Sequence, residues 1–372
     1  MKSQTQSTTG TPLKLSIFKW WVQRNRRWLL GLLGVIVAWH ALHGVGWAEV
    51  WALVARISPI AILTIVGINL FMLPFMAARW WLLLKTLGSP VSLLSITAYR
   101  TAANSVNYLT PGPHFGGEPL SVYLLHHRHG TPLSSAATSV AVDRLLELLA
   151  SFIVLSLCLL KLTFDGTGPF TRESGLILVI TVLLLFTIML TVLFSGGKPL
   201  SKPVYVLMRF CRRYFPAISF TTGTWIDIID QCEVMAESLF HSHRFQFLFA
   251  NFLSILHWVA VFAEFWLMSW FLGYPLSLLH LSAVVVVARL AFFTPLPAGI
   301  GVLESALPWM TASLGLGDIL GVSLCLIIRC RDLVFSMIGL GLAMKYLTCQ
   351  KKVGIIDNMS GCQGVNDLLK KQ

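Results

Sequence analysis

Two Pro/Gly-rich interruptions decide the reading of this chain: Asn107-Tyr-Leu-Thr-Pro-Gly-Pro-His-Phe-Gly-Gly-Glu118 and Thr294-Pro-Leu-Pro-Ala-Gly-Ile-Gly-Val-Leu-Glu304. Each breaks an apolar run. Residues 91–109 precede the first break and 117–129 follow it; 276–293 precede the second and 301–314 follow it. A helical arm of about 13 residues rises about 20 Å, too short for a hydrocarbon core of about 30 Å. Each break with its arms, 91–129 and 276–315, is therefore expected as a re-entrant hairpin that enters and leaves on one face.

The surroundings of the breaks are membrane-like throughout. Of the 372 residues 56% are hydrophobic and 12% charged, with mean hydropathy +0.74. A soluble domain carries about 25% charged residues, so much of this surface must face lipid. Apolar runs at roughly 28–44, 58–84, 133–161, 175–195, 245–272 and 317–346 are long enough to span. Trp28, Trp47, Trp80, Trp81 and Trp270 sit near their ends, as interfacial belts require. The fold expected is an all-α polytopic membrane protein of about six full transmembrane helices plus two opposed re-entrant helical hairpins in an inverted repeat.

Charge orients the chain. The excess of Lys and Arg (28 against 16 Asp and Glu) clusters beside apolar runs, which points to anionic headgroups rather than nucleic acid. Clusters at 14–27, around Arg79 and Lys85, between Lys198 and Arg213, and at Lys345 to Lys352 all fall on one side when six crossings and two hairpins are counted. That side is the cytoplasm of the plasma (inner) membrane, with both termini in it. Residues 1–27 read as a disordered, basic N-terminus, 28–347 as one transmembrane domain, 196–244 as a cytoplasmic loop and 348–372 as a cytoplasmic tail. Within the loop, Tyr205 to Phe215 suits an amphipathic helix on the inner leaflet, and Asp227 to Glu237 a solvated one.

The two units match in order. Pro90-Val-Ser-Leu-Leu precedes the first break and Pro275-Leu-Ser-Leu-Leu the second; the Thr-Pro-x-Pro tetrads start at Thr110 and Thr294. Gly116, Gly117 and Glu118 are answered by Gly299, Gly301 and Glu304. A membrane helix with acid and base near its middle then ends each unit: Asp143-Arg144 with Glu147, and Arg329, Arg331, Asp332. The repeats are expected at about 90–161 and 275–347. An odd number of crossings separates them, so they are inverted, the arrangement that puts a transport site at the midplane.

Broken backbone at membrane depth needs cover from protein or water, because an unsatisfied amide is costly in lipid. The breaks therefore mark a polar cavity whose helix ends favour anions. Arg144 and Arg331 are expected to grip a lipid phosphate bidentately, or else to form an ion-pair network with Asp143, Glu147 and Asp332. Arg100 and Arg289 rank second, with Arg289 also placed to snorkel or to pair with Glu304. Glu118 and Glu304 have two open roles, capping free amides and exchanging protons during transport. Asn104 and Asn107, one turn apart, line the cavity or bond neighbouring helices. His114 lies at the hairpin tip, and His126-His127-Arg128-His129 reads as a headgroup-contacting patch rather than a metal tract. The seven scattered cysteines support neither disulfides nor zinc. No cofactor, metal site, Walker A motif or hydrolase signature is found, so an enzymatic role is not expected.

At these residues the chain resembles the flippase-like family typified by the transmembrane region of lysylphosphatidylglycerol synthase. The likeness rests on Asn107-x-x-Thr-Pro-x-Pro-x-x-Gly116-Gly117-Glu118, Gly130 and Asp143-Arg144, and on Pro295-x-Pro-x-Gly299-x-Gly301-x-x-Glu304. It spans roughly 28–347. Where family members often carry an arginine three residues after the first glutamate, this chain has Ser121. The resemblance implies movement between leaflets of an anionic or phosphate-bearing lipid: an aminoacylated phospholipid, a polyprenyl-phosphate sugar or a hopanoid-related lipid. Only about 25 residues follow the last apolar run, too few for the synthase's aminoacyltransferase domain. A membrane-embedded enzyme and an accessory subunit of a lipid or glycan pathway are the rival readings. Expected partners are an anionic membrane lipid, a second copy of the chain or a lipid-pathway enzyme, and no nucleic acid.

Overall fold

The computed structural model describes residues 34–40, 42–43, 45–110, 116–165, 172–194, 231–232, 234–236, 238–239, 244–294 and 296–369. The basic N-terminus, the apolar run before residue 34, the aromatic half of the 196–244 loop and residues 111–115 with His114 lie outside them.

The described residues are all-helical, without strands. After a helical piece at 34–40 come α1 (Trp47–Val54), α2 (Pro59–Thr86), α3 (Leu93–Leu109), α4 (Glu118–His129), α5 (Leu133–Asp165), α6 (Arg172–Phe194), α7 (Arg244–Phe271), α8 (Leu278–Phe292), a 3-10 turn (Pro297–Gly299), α9 (Val302–Ser313) and α10 (Asp318–Leu369). Helices α2, α5 and α7 are long and apolar enough to cross a membrane. Their outward faces are apolar too: Ile60, Leu63, Leu70 and Phe71 on α2 and Phe245, Leu248, Phe252 and Ile255 on α7 are all exposed. Such continuous apolar surface belongs in lipid. The protein is a membrane protein.

Local chemistry places the helix ends. Ser58, Ser92 and Ser277 accept the amides of Ala61, Ser95 and His280, each three positions on. Gly88 and Gly273, both at positive φ, end α2 and α7. These devices recur at one constant spacing along the chain. Helices α2 and α7 have the same length and start at Pro59 and Arg244. The step from Pro59 to Arg244 also leads from the start of α3 at Leu93 to that of α8 at Leu278, and from α5 at Leu133 to α10 at Asp318. The helices that start at 59 and 244, just ahead of the expected repeats at about 90–161 and 275–347, share the same spacing. The likeness of 87–92 to 272–277 (Leu-Gly-x-Pro-x-Ser) is its sequence trace.

Packing follows the same exchange. Helix α2 lies along α7, α3 along α10, and α5 against α8. The pair α3/α4 packs on the C-terminal half of α2, in a core of Ala77, Trp80, Leu84, Tyr99, Leu124, Leu125 and Val140. The pair α8/α9 shares a core with Ile65 and Met72 from the N-terminal half of α2, and with Val285, Leu303 and Leu324. Helix α2 is about 42 Å long at 1.5 Å per residue, so the two short-helix pairs sit toward its opposite ends.

The structure departs from the sequence expectations at several residues. Arg79 is buried and ion-paired, not part of a headgroup-facing cluster, and Trp80 is buried with its indole N–H on Ser139, not in an interfacial belt. Leu239, in the second part of the 196–244 loop and just past the stretch expected as a solvated helix, is buried beside Val142 and Leu146 of α5. Helix α10 runs to Leu369, past the end of the apolar run. Cys158 and Cys325 are buried and free, as packing residues would be.

Candidate functional site

Between the two apolar cores lies a network of arginines and carboxylates. Its first half centres on α5. Asp143 accepts from Arg79 Nε at 2.6 Å and is also bonded to Arg100. Glu147 takes Arg79, Arg100 and Arg144 at 3.2, 2.7 and 2.8 Å. Arg144 reaches back to the short helix, its Nε 2.7 Å from Glu118 Oε1. Asp143 therefore neutralises Arg79 and Arg100 rather than Arg144. Arg100, expected near a phosphate, is buried within this cluster and does not line the cavity described below.

The second half centres on α10. Arg329 Nε lies 2.7 Å from Glu304 Oε1, and its remaining N–H groups reach Tyr108 and the carbonyls of Ala298 and Gly299. Arg331 joins Glu264 of α7 at 2.5 Å and its neighbour Asp332 at 2.7 Å. Glu304 does not pair with Arg289, whose guanidinium stands over the Trp258 ring at 5.1 Å instead.

The halves correspond at the spacing that relates α2 to α7. Arg144 and Arg329 are equivalent, as are Glu147 and Asp332, and each equivalent arginine holds a glutamate in the first turn of the preceding short helix. Arg79 and Glu264 are also equivalent, with opposite charge. Arg79 donates to Ser254 on α7 at 3.0 Å, while Glu264 accepts from Asn69 on α2 at 2.6 Å. Asn69 and Ser254 are themselves equivalent positions of the two units. One α2–α7 contact is thus made twice with donor and acceptor exchanged.

The breaks are built by close approach. The Gly117 amide donates to Asn107 Oδ1 at 2.6 Å, and a Cβ on Gly117 would run into the Ala103 carbonyl, so only glycine lets α4 start against α3. Gly116 is packed as tightly against Thr110. Asn107 therefore supplies the side-chain cap at the start of α4; Glu118 accepts from Asn107 Nδ2 at 3.3 Å and from Arg144 instead. Glu118 Oε2 is buried without a hydrogen-bond partner among the described residues. Glu304 does both jobs, capping the Gly301 amide with Oε2 at 2.7 Å while Oε1 holds Arg329.

The network borders a cavity of about 250 Å³. Asn104, Asn107, Arg144, Arg331 and Asp332 line it; Glu118, Glu304, Gly116, Gly117 and Asp143 lie behind it, shaping or neutralising those that do. Asn104 Oδ1 faces Arg144 Nη2 at 3.4 Å. Asn69, Tyr108, His257 and Glu264 also line it, with the hydroxyls of Thr101, Ser105 and Ser336; the sequence reading named none of these. The signal was available for Asn69, an amide within an apolar spanning helix, and for Glu264, the one acid in α7. The basic patch on α4 is largely committed to local contacts, with His126 on the Thr131 carbonyl, His129 on Tyr99, and Arg128 on the Tyr346 carbonyl and ring. Among the described residues no cluster could hold a metal ion.

Comparison with known proteins agrees with the membrane architecture. The chain belongs to the family described as the lysylphosphatidylglycerol synthase TM region, which it matches over residues 27–339. It is similar to a UPF0104 membrane protein of Methanocaldococcus jannaschii, 24% identical over 233 residues that cover 62% of this chain and 68% of the relative. A UPF0104 membrane protein of Methanothermobacter thermautotrophicus is 21% identical over 281 residues, 74% of this chain and 82% of the relative. No solved structure matches the chain.

Proposed function

We propose that this member of the family moves a phosphate-bearing anionic lipid between leaflets, its headgroup passing through the cavity while the tails stay in the bilayer. The candidates are an aminoacylated phospholipid, a polyprenyl-phosphate sugar or a hopanoid-related lipid. In this reading α3/α4 and α8/α9 are two re-entrant hairpins inserted from opposite faces of the plasma membrane. The six-crossing topology has both termini in the cytoplasm. The observation that supports it is that the two short-helix pairs pack toward opposite ends of α2, with the arginine network and cavity between. Helices of 17, 12, 15 and 12 residues are about 18–26 Å long, each short of a full crossing. Two oppositely inserted broken units meeting at a polar midplane site are what alternating access uses.

The test is leaflet exchange in proteoliposomes doped with a fluorescent phosphatidylglycerol or a fluorescent neutral diacylglycerol, with lipid composition followed by chromatography. Exchange of the anionic probe without chemical change, lost in Arg144→Ala, is the expected result. A chemically altered lipid would favour the membrane-embedded enzyme instead. Absence of exchange from well-folded protein would overturn the transport reading.

A further inference from the structure

Every cavity-lining arginine but one is already held by carboxylates. Arg144 has Glu118 and Glu147, and Arg331 has Glu264 and Asp332. Arg289 also lines the cavity, yet among the described residues its N–H groups make no hydrogen bond and no ion pair; its contact is with the face of Trp258. The acids within its field, Glu264, Glu147 and Asp332, are each occupied by other arginines. A guanidinium remains charged in any protein environment and presents five donors in a planar fork. Contact with the indole face leaves the N–H groups of the fork available to a ligand.

Beside it stands His257, one residue before Trp258 on α7 and also lining the cavity. Its Nδ1 is buried without a hydrogen-bond partner among the described residues. Buried polar atoms are nearly always satisfied, so the orphaned His257 Nδ1, in the same cavity wall as an arginine whose N–H groups meet no protein acceptor among the described residues, points to a ligand. A planar donor fork with a neighbouring imidazole matches an oxyanion with several acceptor oxygens, and bidentate pairing makes phosphate the best fit. The cavity, about 250 Å³, has room for a phosphate with a small substituent.

We infer that Arg289, braced on Trp258 and flanked by His257, is the phosphate-receiving group of the cavity, whereas Arg144 and Arg331 are structural members of the ion-pair network. The inference deepens the transport reading by naming the group that recognises the ligand. The ligand class is a phosphate ester or phosphate itself.

The experiment is equilibrium binding of the full-length purified protein to micelles containing phosphatidylglycerol, to micelles containing diacylglycerol, and to inorganic phosphate. Wild-type protein is expected to prefer phosphatidylglycerol to diacylglycerol. Arg289→Gln is expected to weaken that binding roughly ten- to a hundredfold, the span of a lost charge-assisted contact. Arg289→Lys, which keeps the charge without the fork, is expected to fall between. Displacement of the lipid by inorganic phosphate would make free phosphate a ligand; binding of the lipid alone would make the site one for headgroups. Should Arg289→Gln fail the gel-filtration and melting controls, Arg289→Lys and His257→Phe replace it, and weakened binding in both supports the assignment. Binding as in wild type by the folded variants overturns it. Leaflet exchange is scored separately. Phosphate bound through Arg289 without exchange would defeat the transport reading alone, and exchange undiminished in Arg289→Gln would defeat this inference alone.

Discussion

Arg329 Nε lies 2.7 Å from Glu304 Oε1, and at the equivalent position of the first unit Arg144 holds Glu118 at the same 2.7 Å. In each unit a short broken helix is thereby clamped to the long helix that ends the unit. The clamps are mostly shielded from solvent, so removing one partner strands a charge rather than merely deleting a contact. Glu304→Gln and Arg329→Gln are each expected to destabilise the protein by about 3 kcal/mol. The double variant should lose less than the sum, leaving a coupling of about 1–3 kcal/mol. Reversible unfolding in mixed micelles checks it, and strictly additive losses would show that the pair is not coupled.

Asp143 faces two guanidinium groups, from Arg79 and Arg100, and is 1% exposed. Asp143→Asn keeps its shape while removing the charge that both arginines need. Loss of about 3–5 kcal/mol is expected, among the largest effects of any single substitution in the chain. A thermal melt of the variant beside wild type reads this directly; an unchanged melting temperature would mean the cluster is not held as described.

Two glycines separate steric need from conformational need. Gly117→Ala must push a methyl into the Ala103 backbone, whereas Gly130 has open space but sits at φ +62°. Gly130→Ala is therefore expected to cost about 1 kcal/mol. Gly117→Ala should cost clearly more and should also impair leaflet exchange, because it separates α3 from α4 where Asn107 caps the break. Equal melting temperatures for the two variants would contradict the close approach.

Much of this was legible in the sequence. The breaks, their glutamates and the Asp143-Arg144 and Arg331-Asp332 pairs are local patterns that length and hydropathy expose. The partnerships were not, because they are decided between helices far apart in the chain. Arg79 looked like a cytoplasmic marker next to Lys85 until α5 and α7 brought Asp143, Glu147 and Ser254 to it. Arg289 looked free to pair with Glu304, but that carboxylate is consumed by its own cap and by Arg329. The correspondence of Arg79 with Glu264 was hidden for a simpler reason. The two charges have opposite sign, so a search for identical residues passes over them.

Insertion of the two short-helix pairs from opposite faces of the membrane is tested most directly by labelling from either side of the bilayer. His127 near the end of α4 and Ser313 at the end of α9 are both exposed. In a background with the native cysteines replaced, His127→Cys and Ser313→Cys are treated with a membrane-impermeant maleimide in sealed right-side-out and inside-out vesicles. The expected result is reciprocal labelling, each cysteine modified in one vesicle orientation only and the two orientations differing. Modification of both cysteines from the same side would contradict the opposed insertion, and with it the midplane site.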